Sequence, residues 1–304
     1  MASFDDISTR LLEALHGRVA FLRKHRTPFT IAASVIFLVG LVWSFQKLNL
    51  SLSELDIWPA LGLFFVMAPL GILYGAIGLI ILVHIAGGTK INLAESVKIT
   101  AYAQLAESLP LPGGAIVRTA ALMKSGVKTT KSVGLVVATA ILWISVAALG
   151  AGGVLITQGS ILGYALFGVG LLAVLPVITW IFKLSDVSIT ALIIFHRMVG
   201  VVMMAIRILL AFAILKLTVS FETALFFTFA NIAGSATSLA PAGLGVGEVF
   251  AAAMADLVKV LPATAFLAIA LNRIIGLMSC ASLVGFISLF ESRFKKLSSM
   301  RNAS

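Results

Sequence analysis

The sequence predicts an all-α polytopic membrane protein, and three observations carry that prediction. Of 304 residues, 60% are hydrophobic and only 11% are charged, where a soluble domain runs nearer ~45–50% apolar and ~25% charged. Mean hydropathy is +1.12. Apolar runs of about twenty residues, enough for a helix to cross hydrocarbon, recur along the chain. The runs are continuous rather than alternating in and out, which excludes a β-barrel. The one cysteine, Cys280, sits inside such a run, so a disulfide scaffold is excluded too.

The first 27 residues are polar and basic, with no cleavage pattern before an apolar stretch, and read as a cytoplasmic tail. No second soluble domain is expected at either end. Spans are predicted at Pro28–Leu48, Ile57–Val83, Val133–Ile156, Ile161–Phe182, Met198–Leu217 and Ala263–Leu289. The mixed segment Leu184–Arg197 either extends the fifth helix or lies at the interface. Two further segments, Ile91–Gly126 and Ser220–Leu261, are helical in pattern but broken in the middle. The breaks read Ser108-Leu-Pro-Leu-Pro-Gly-Gly114 and Ser238-Leu-Ala-Pro-Ala-Gly-Leu-Gly-Val-Gly-Glu248. At 1.5 Å per residue, Ala115–Gly126 is only ~18 Å long, too short to span. Both segments read as re-entrant helical hairpins, whose irregular tips must be buried in protein or line a wet cavity. Two full crossings per hairpin are the alternative. The expected fold is about six spanning helices plus two re-entrant hairpins.

Net charge is +10, and in a membrane protein this is a topology signal before it is a nucleic-acid signal. With the N-terminus inside, the cytoplasmic segments hold Arg10, Arg18, Arg23, Lys24, Arg26, Lys90, Lys98, Lys124, Lys128, Lys131, Lys183, Arg197, Arg293, Lys295, Lys296 and Arg301. The outer segments hold Lys47, Lys216 and Lys259. Sixteen against three puts both termini in the cytoplasm. Arg118, Arg207 and Arg273 remain, all at membrane depth.

A shift of 130 residues overlays the hydropathy of the two halves, broken segments included, and brings Ser108 onto Ser238 and Gly113 onto Gly243. Each half holds an odd number of crossings, so the repeat is read as inverted. The division is 1–27 tail, 28–156 first repeat, 157–290 second repeat and 291–304 basic tail. The hairpin tips should then converge near the midplane, where transporters of this build hold substrate.

Arg118 and Glu248 align across the repeat, one past each tip, and are expected to pair across the axis. The pair is either a structural lock or a gate. A buried arginine costs at least ~2.5–3.5 kcal/mol on insertion scales, so Arg207 and Arg273 should face the interior. Their planar forks suit phosphate. The alternative is that they pair with Glu107 or Glu248 or bond hairpin carbonyls. Glycines at the tips (Gly113, Gly114, Gly243, Gly245) expose helix N-termini whose free N–H groups favour an anion. The expected head-group site is therefore Arg118, Arg207, Arg273 and Asn272 with these glycines; Glu248, Arg118 and Glu107 are the gating or proton-carrying candidates. Gln104, Asn231, Ser108 and Ser238 are neutral donors at similar depth. The four histidines, His16, His25, His84 and His196, have no ligand spacing and fall in the tail or near interfaces. No metal or cofactor motif is present in the sequence, and none is expected.

Ser-Leu-Pro-Leu-Pro-Gly-Gly-x-x-x-Arg ending at Arg118, Pro241-Ala-Gly-Leu-Gly-Val-Gly-Glu248 and Asn272-Arg273 together resemble the transmembrane region of the bacterial lysylphosphatidylglycerol synthase/flippase family. The likeness runs from about Pro28 to Phe290. It implies a lipid-translocating domain with two re-entrant hairpins, and roles for the glycine turn, Glu248 and Arg118 around a lipid cavity. Gly247 stands where many relatives carry arginine. The aminoacyl-transferring domain of that family is not in this sequence, so the chain is expected to move a lipid made elsewhere rather than synthesise it.

The functional expectation is a non-enzymatic flippase that binds an anionic lipid: a phospholipid, an aminoacyl-phospholipid or a polyprenyl-phosphate. The lipid bilayer is its partner and nucleic acid is not; a second copy of the chain or a lipid-modifying enzyme is the further partner this reading allows. Its rivals are a secondary transporter of a small soluble anion, a lipid-phosphate transferase, and an accessory subunit of a glycosyltransferase. The topology makes a direct prediction. An impermeant thiol reagent added outside should label a cysteine placed at Asn49 and spare one placed at Ser299; the reverse pattern would invert every side assignment.

Overall fold

The computed structural model describes residues 31–107, 113–236 and 245–301, the side chains of residues 291–301 aside. All regular structure among the described residues is helical. Six helices are long and apolar enough to cross a membrane, which bears out the predicted class: α1 Ile31–Leu48, α2 Ile57–Ala86, α5 Thr129–Thr157, α6 Ile161–Leu184, α7 Val187–Ile214 and α10, whose apolar part is Pro262–Phe290 within Pro262–Arg301. Between them lie four shorter helices: α3 Leu93–Glu107, α4 Gly113–Lys124, α8 Phe221–Ala236 and α9 Val246–Met254. The longest of these covers 16 described residues. The two breaks, with Ser108, Ser238 and Gly243, lie outside the described residues, as does the N-terminal tail.

The order of long and short helices is the same in both halves. α2 and α7 begin at Ile57 and Val187, an offset of the same 130 residues. Packing between the halves is reciprocal. The last helix of the first half, α5, packs on α8, and the last helix of the second, α10, packs on α3. Within the halves, α3 lies on α4 and α8 on α9, while α4 touches α5 and α9 touches α10.

Local sequence explains the two main departures from plain helix. In α2 the turn Leu63–Met67 is a π-helix. Pro69 follows it and has no N–H to give, which frees a carbonyl in the turn before. Ser279 of α10 takes up that slack: its hydroxyl donates to the Phe64 carbonyl at 2.7 Å. At the α5–α6 junction the two backbones touch. A Cβ on Gly152 would lie 2.6 Å from the Phe167 nitrogen, and one on Gly163 would lie 2.6 Å from the Ile156 nitrogen. Small residues of this kind let membrane helices approach closely.

The mixed segment Leu184–Arg197 extends the fifth span rather than lying at the interface: the helix starts at Val187. The Asp186 side chain accepts from the Ile189 N–H at 2.8 Å, an N-cap that starts the helix well before the apolar run. Arg197, counted above with the cytoplasmic charges, therefore lies ten residues inside α7, about 15 Å along its axis.

Candidate functional site

A cavity of about 310 Å³ opens between the two halves. Its walls come from α2, α3, α4 and α5 on one side and α7 and α8 on the other. Three arginines line it: Arg118 on α4, and Arg197 and Arg207 on α7. The one carboxylate among the described lining residues is Glu107, and neither undescribed tip carries a charge in its sequence. Three positive charges and one negative leave the cavity cationic.

Each arginine is held differently. Arg118 donates to the Glu107 carboxylate at 2.9 Å, with both side chains partly exposed. Arg207 meets no carboxylate among the described residues. Its Nε donates to the Asn272 Oδ1 at 3.0 Å and its Nη2 to the Asn272 carbonyl at 3.4 Å. The fork fits because its neighbours on α2 and α10 are Gly71 and Gly276; a Cβ on Gly276 would stand 2.6 Å from Nη2. Neutral oxygens orient this guanidinium without cancelling its charge. Arg197 lies against Tyr74 and within electrostatic reach of Arg118. Its Nε is buried without a partner among the described residues.

Beside Arg197, α2 and α7 are joined by a reciprocal clasp. The rings of Tyr74 and His196 stack at 4.0 Å, only 9° from parallel. Tyr74 Oη donates to the His196 carbonyl at 2.8 Å, and His196 Nε2 lies 3.0 Å from the Tyr74 carbonyl. A glycine one turn further on each helix clears space for the other ring: His196 lies over Gly78 and Tyr74 over Gly200. His196 is thus buried in the cavity wall, which corrects its assignment to an interface.

Arg273 and Glu248 do not line the cavity. They form a buried pair behind it, with Arg273 Nη1 3.3 Å from Glu248 Oε2 and side-chain exposures of 6% and 0%. Asn231 Oδ1 at 3.5 Å and Ser235 Oγ at 3.4 Å accept from Arg273 Nη2. The guanidinium lies across Gly247, where a Cβ would stand 2.8 Å from Nη2. The pair ties α9 to α10, and through Asn231 and Ser235 to α8.

The expected Arg118–Glu248 pair is therefore replaced by two others, Arg118–Glu107 and Arg273–Glu248. Equivalent positions on two hairpins do not have to meet. Glu107 is the last residue of the arm packed against Arg118, and Arg273 lies on the helix packed against Glu248. Glu107 also lies within electrostatic reach of Arg273.

Of the other expected residues, Gly114 and Gln104 line the cavity. Gly113 packs against the Ala106 carbonyl, where α3 meets α4. Gly245, at φ +80°, sits before α9 with its Cα side against the Ala33 carbonyl of α1. Asn272 positions Arg207 from behind. The residues that reading the sequence alone missed are Tyr74, Trp143, His196 and Arg197. The paired spacings Tyr74-x-x-x-Gly78 and His196-x-x-x-Gly200 were the available signal for the clasp.

Comparison with protein-family models and with curated proteins finds no match.

The geometry separates the arginines by what each should cost. Removing one partner of the buried pair, by Arg273→Met or Glu248→Leu, strands a charge and should destabilise the protein by ~3–5 kcal/mol, while the double change should recover most of the loss. Arg118→Ala, at a partly exposed pair, should cost under ~1 kcal/mol. Thermal unfolding in detergent reads all four. The swap Arg118→Glu with Glu248→Arg should fail to restore stability, because neither residue has the other as partner.

Proposed function

We propose that this chain is a membrane lipid transporter that carries the phosphate of an anionic lipid through the cationic cavity while the acyl chains stay in the bilayer. One observation carries the reading: Arg207 projects an uncancelled charge into a cavity at the centre of an apolar bundle. Such a charge is expensive in hydrocarbon and marks a function by default. Arginine keeps its proton and offers a planar set of donors, which suits a phosphate that must be bound and then released. It is a poor general base and no metal ligand, and this favours transport over transfer chemistry.

Arg197 and Arg207 stand about 15 Å apart along α7, further than one phosphate can bridge. The head group would therefore meet them in turn, Arg197 with Arg118 toward the inner side and Arg207 toward the outer. Alternating access would come from rocking of two inverted halves, with α3–α4 and α8–α9 as the re-entrant hairpins and both termini cytoplasmic in a bacterial inner membrane. The 130-residue offset of α2 and α7 and the reciprocal packing of α5 on α8 and α10 on α3 support such a two-fold relation. The motif resemblance to the lysylphosphatidylglycerol synthase/flippase family points the same way.

In proteoliposomes, wild type should move labelled anionic phospholipid faster than zwitterionic. Arg207→Ala should weaken anionic-lipid handling by ~1.5–3 kcal/mol, the worth of a charge-assisted hydrogen bond. Arg207→Lys should restore it only in part, because an ammonium lacks the fork. Equal handling of both lipid classes by wild type, with no loss in Arg207→Ala, would make the arginine structural and the reading wrong.

A further inference from the structure

Arg207 keeps its charge because its partner is a neutral oxygen. Arg197 reaches the same condition by another route. No ion pair joins it to a carboxylate among the described residues, and the like charge of Arg118 is near enough to repel it. A long side chain under those forces alone would sample many rotamers, and ordering it costs entropy. What meets it is the Tyr74 hydroxyl, to which the Arg197 side chain donates.

The Tyr74 oxygen is itself fixed in three ways. Its ring stacks on His196 at 4.0 Å. Its hydroxyl donates at 2.8 Å to the His196 carbonyl, which belongs to the peptide leading into Arg197. Gly200 leaves the hydroxyl the room that a side chain would fill. A carbonyl can only accept, so the phenolic proton is committed to it and the remaining lone pairs of the oxygen can only accept. A guanidinium can only donate, so the two groups match. The bond to the carbonyl also requires the proton, so the hydroxyl stays neutral and takes none of the charge of Arg197.

Resting on the flippase reading above, we infer that Tyr74 is a positioning residue: it aims the Arg197 guanidinium at the head group from α2, as Asn272 aims Arg207 from α10. Each of the two charged stations on α7 is then steered by a neutral oxygen on a helix beside it, and each keeps its charge for the ligand. The clasp has two separable parts. The stack and the two bonds to backbone carbonyls join α2 to α7; the lone pairs of the Tyr74 oxygen orient a charge.

The test measures the dissociation constant of phosphatidylglycerol for the purified protein in detergent micelles, with phosphatidylcholine as reference. Tyr74→Phe keeps the stacking ring and loses the oxygen, and should weaken phosphatidylglycerol binding about three- to tenfold. In an Arg197→Ala background the same change should add less than about twofold, because the group it positions is gone; in an Arg207→Ala background it should keep its full effect. Replacing Tyr74 by para-aminophenylalanine separates the two parts of the clasp. The amine still donates to the His196 carbonyl, but its lone pair is drawn into the ring and accepts poorly. This variant should melt close to wild type and bind phosphatidylglycerol as weakly as Tyr74→Phe. A tyrosine that only joins the helices would give the opposite pattern, with wild-type binding in the amino variant, and that would overturn the inference. So would a Tyr74→Phe effect that adds in full to Arg197→Ala. If wild type holds phosphatidylglycerol no more tightly than phosphatidylcholine, the flippase reading itself fails, a result distinct from the loss of coupling between Tyr74 and Arg197.

Discussion

Arg207 is bonded to an amide oxygen and a backbone carbonyl of the same asparagine, and the character of the cavity follows from that choice of partner. A carboxylate in Asn272's place would neutralise the guanidinium and turn the site into another structural ion pair. The neutral oxygens satisfy the donors' geometry and leave the charge to be answered by something else. A dry bundle does not tolerate that at low cost. The charge is therefore sited where α2, α7 and α10 leave room, against Gly71 and Gly276, at the edge of a space large enough for a polar group.

The Arg273–Glu248 pair plays the opposite part. It is almost wholly buried, is bonded to Asn231 and Ser235, and neither of its members lines the cavity. A buried pair of this kind adds little net stability over apolar packing but strongly penalises any arrangement that separates its members. It fixes α9 against α10. α4 is held more loosely, by the half-exposed Arg118–Glu107 pair. The difference sets which helix yields first: α4 can release Arg118 at small cost, whereas α9 cannot release Glu248.

Much of the fold was legible because hydropathy at the length scale of a bilayer is a coarse property. Four of the six spans begin within a few residues of their predicted starts, α1 ends at its predicted Leu48, and the short helices flank the two predicted breaks. The exception, α7, opens with Asp186, His196 and Arg197, whose polarity masks a helix that its N-cap in fact begins at Val187. The site was legible in part. Arg207 was singled out by its depth and Arg118 by its place past the first break, aligned with Glu248 across the repeat, and both line the cavity. Arg273 met the same criterion and does not, because depth cannot distinguish a charge that faces a cavity from one locked to a neighbour. The pairing of Arg118 was misassigned for a related reason: alignment across a repeat relates positions, not distances. His196 was invisible because a lone histidine has no periodicity, and its role depends on a carbonyl on another helix.

The central claim is that the cavity holds the phosphate of an anionic lipid. A mass-spectrometric inventory of the lipids that co-purify with the protein, set against a total extract of the same membranes, tests it without assuming which lipid that is. Wild type should be enriched in anionic phospholipids over the extract, and the enrichment should disappear when Arg118, Arg197 and Arg207 are all changed to alanine. A lipid composition that matches the extract in wild type, or an enrichment that survives loss of all three arginines, would contradict the account.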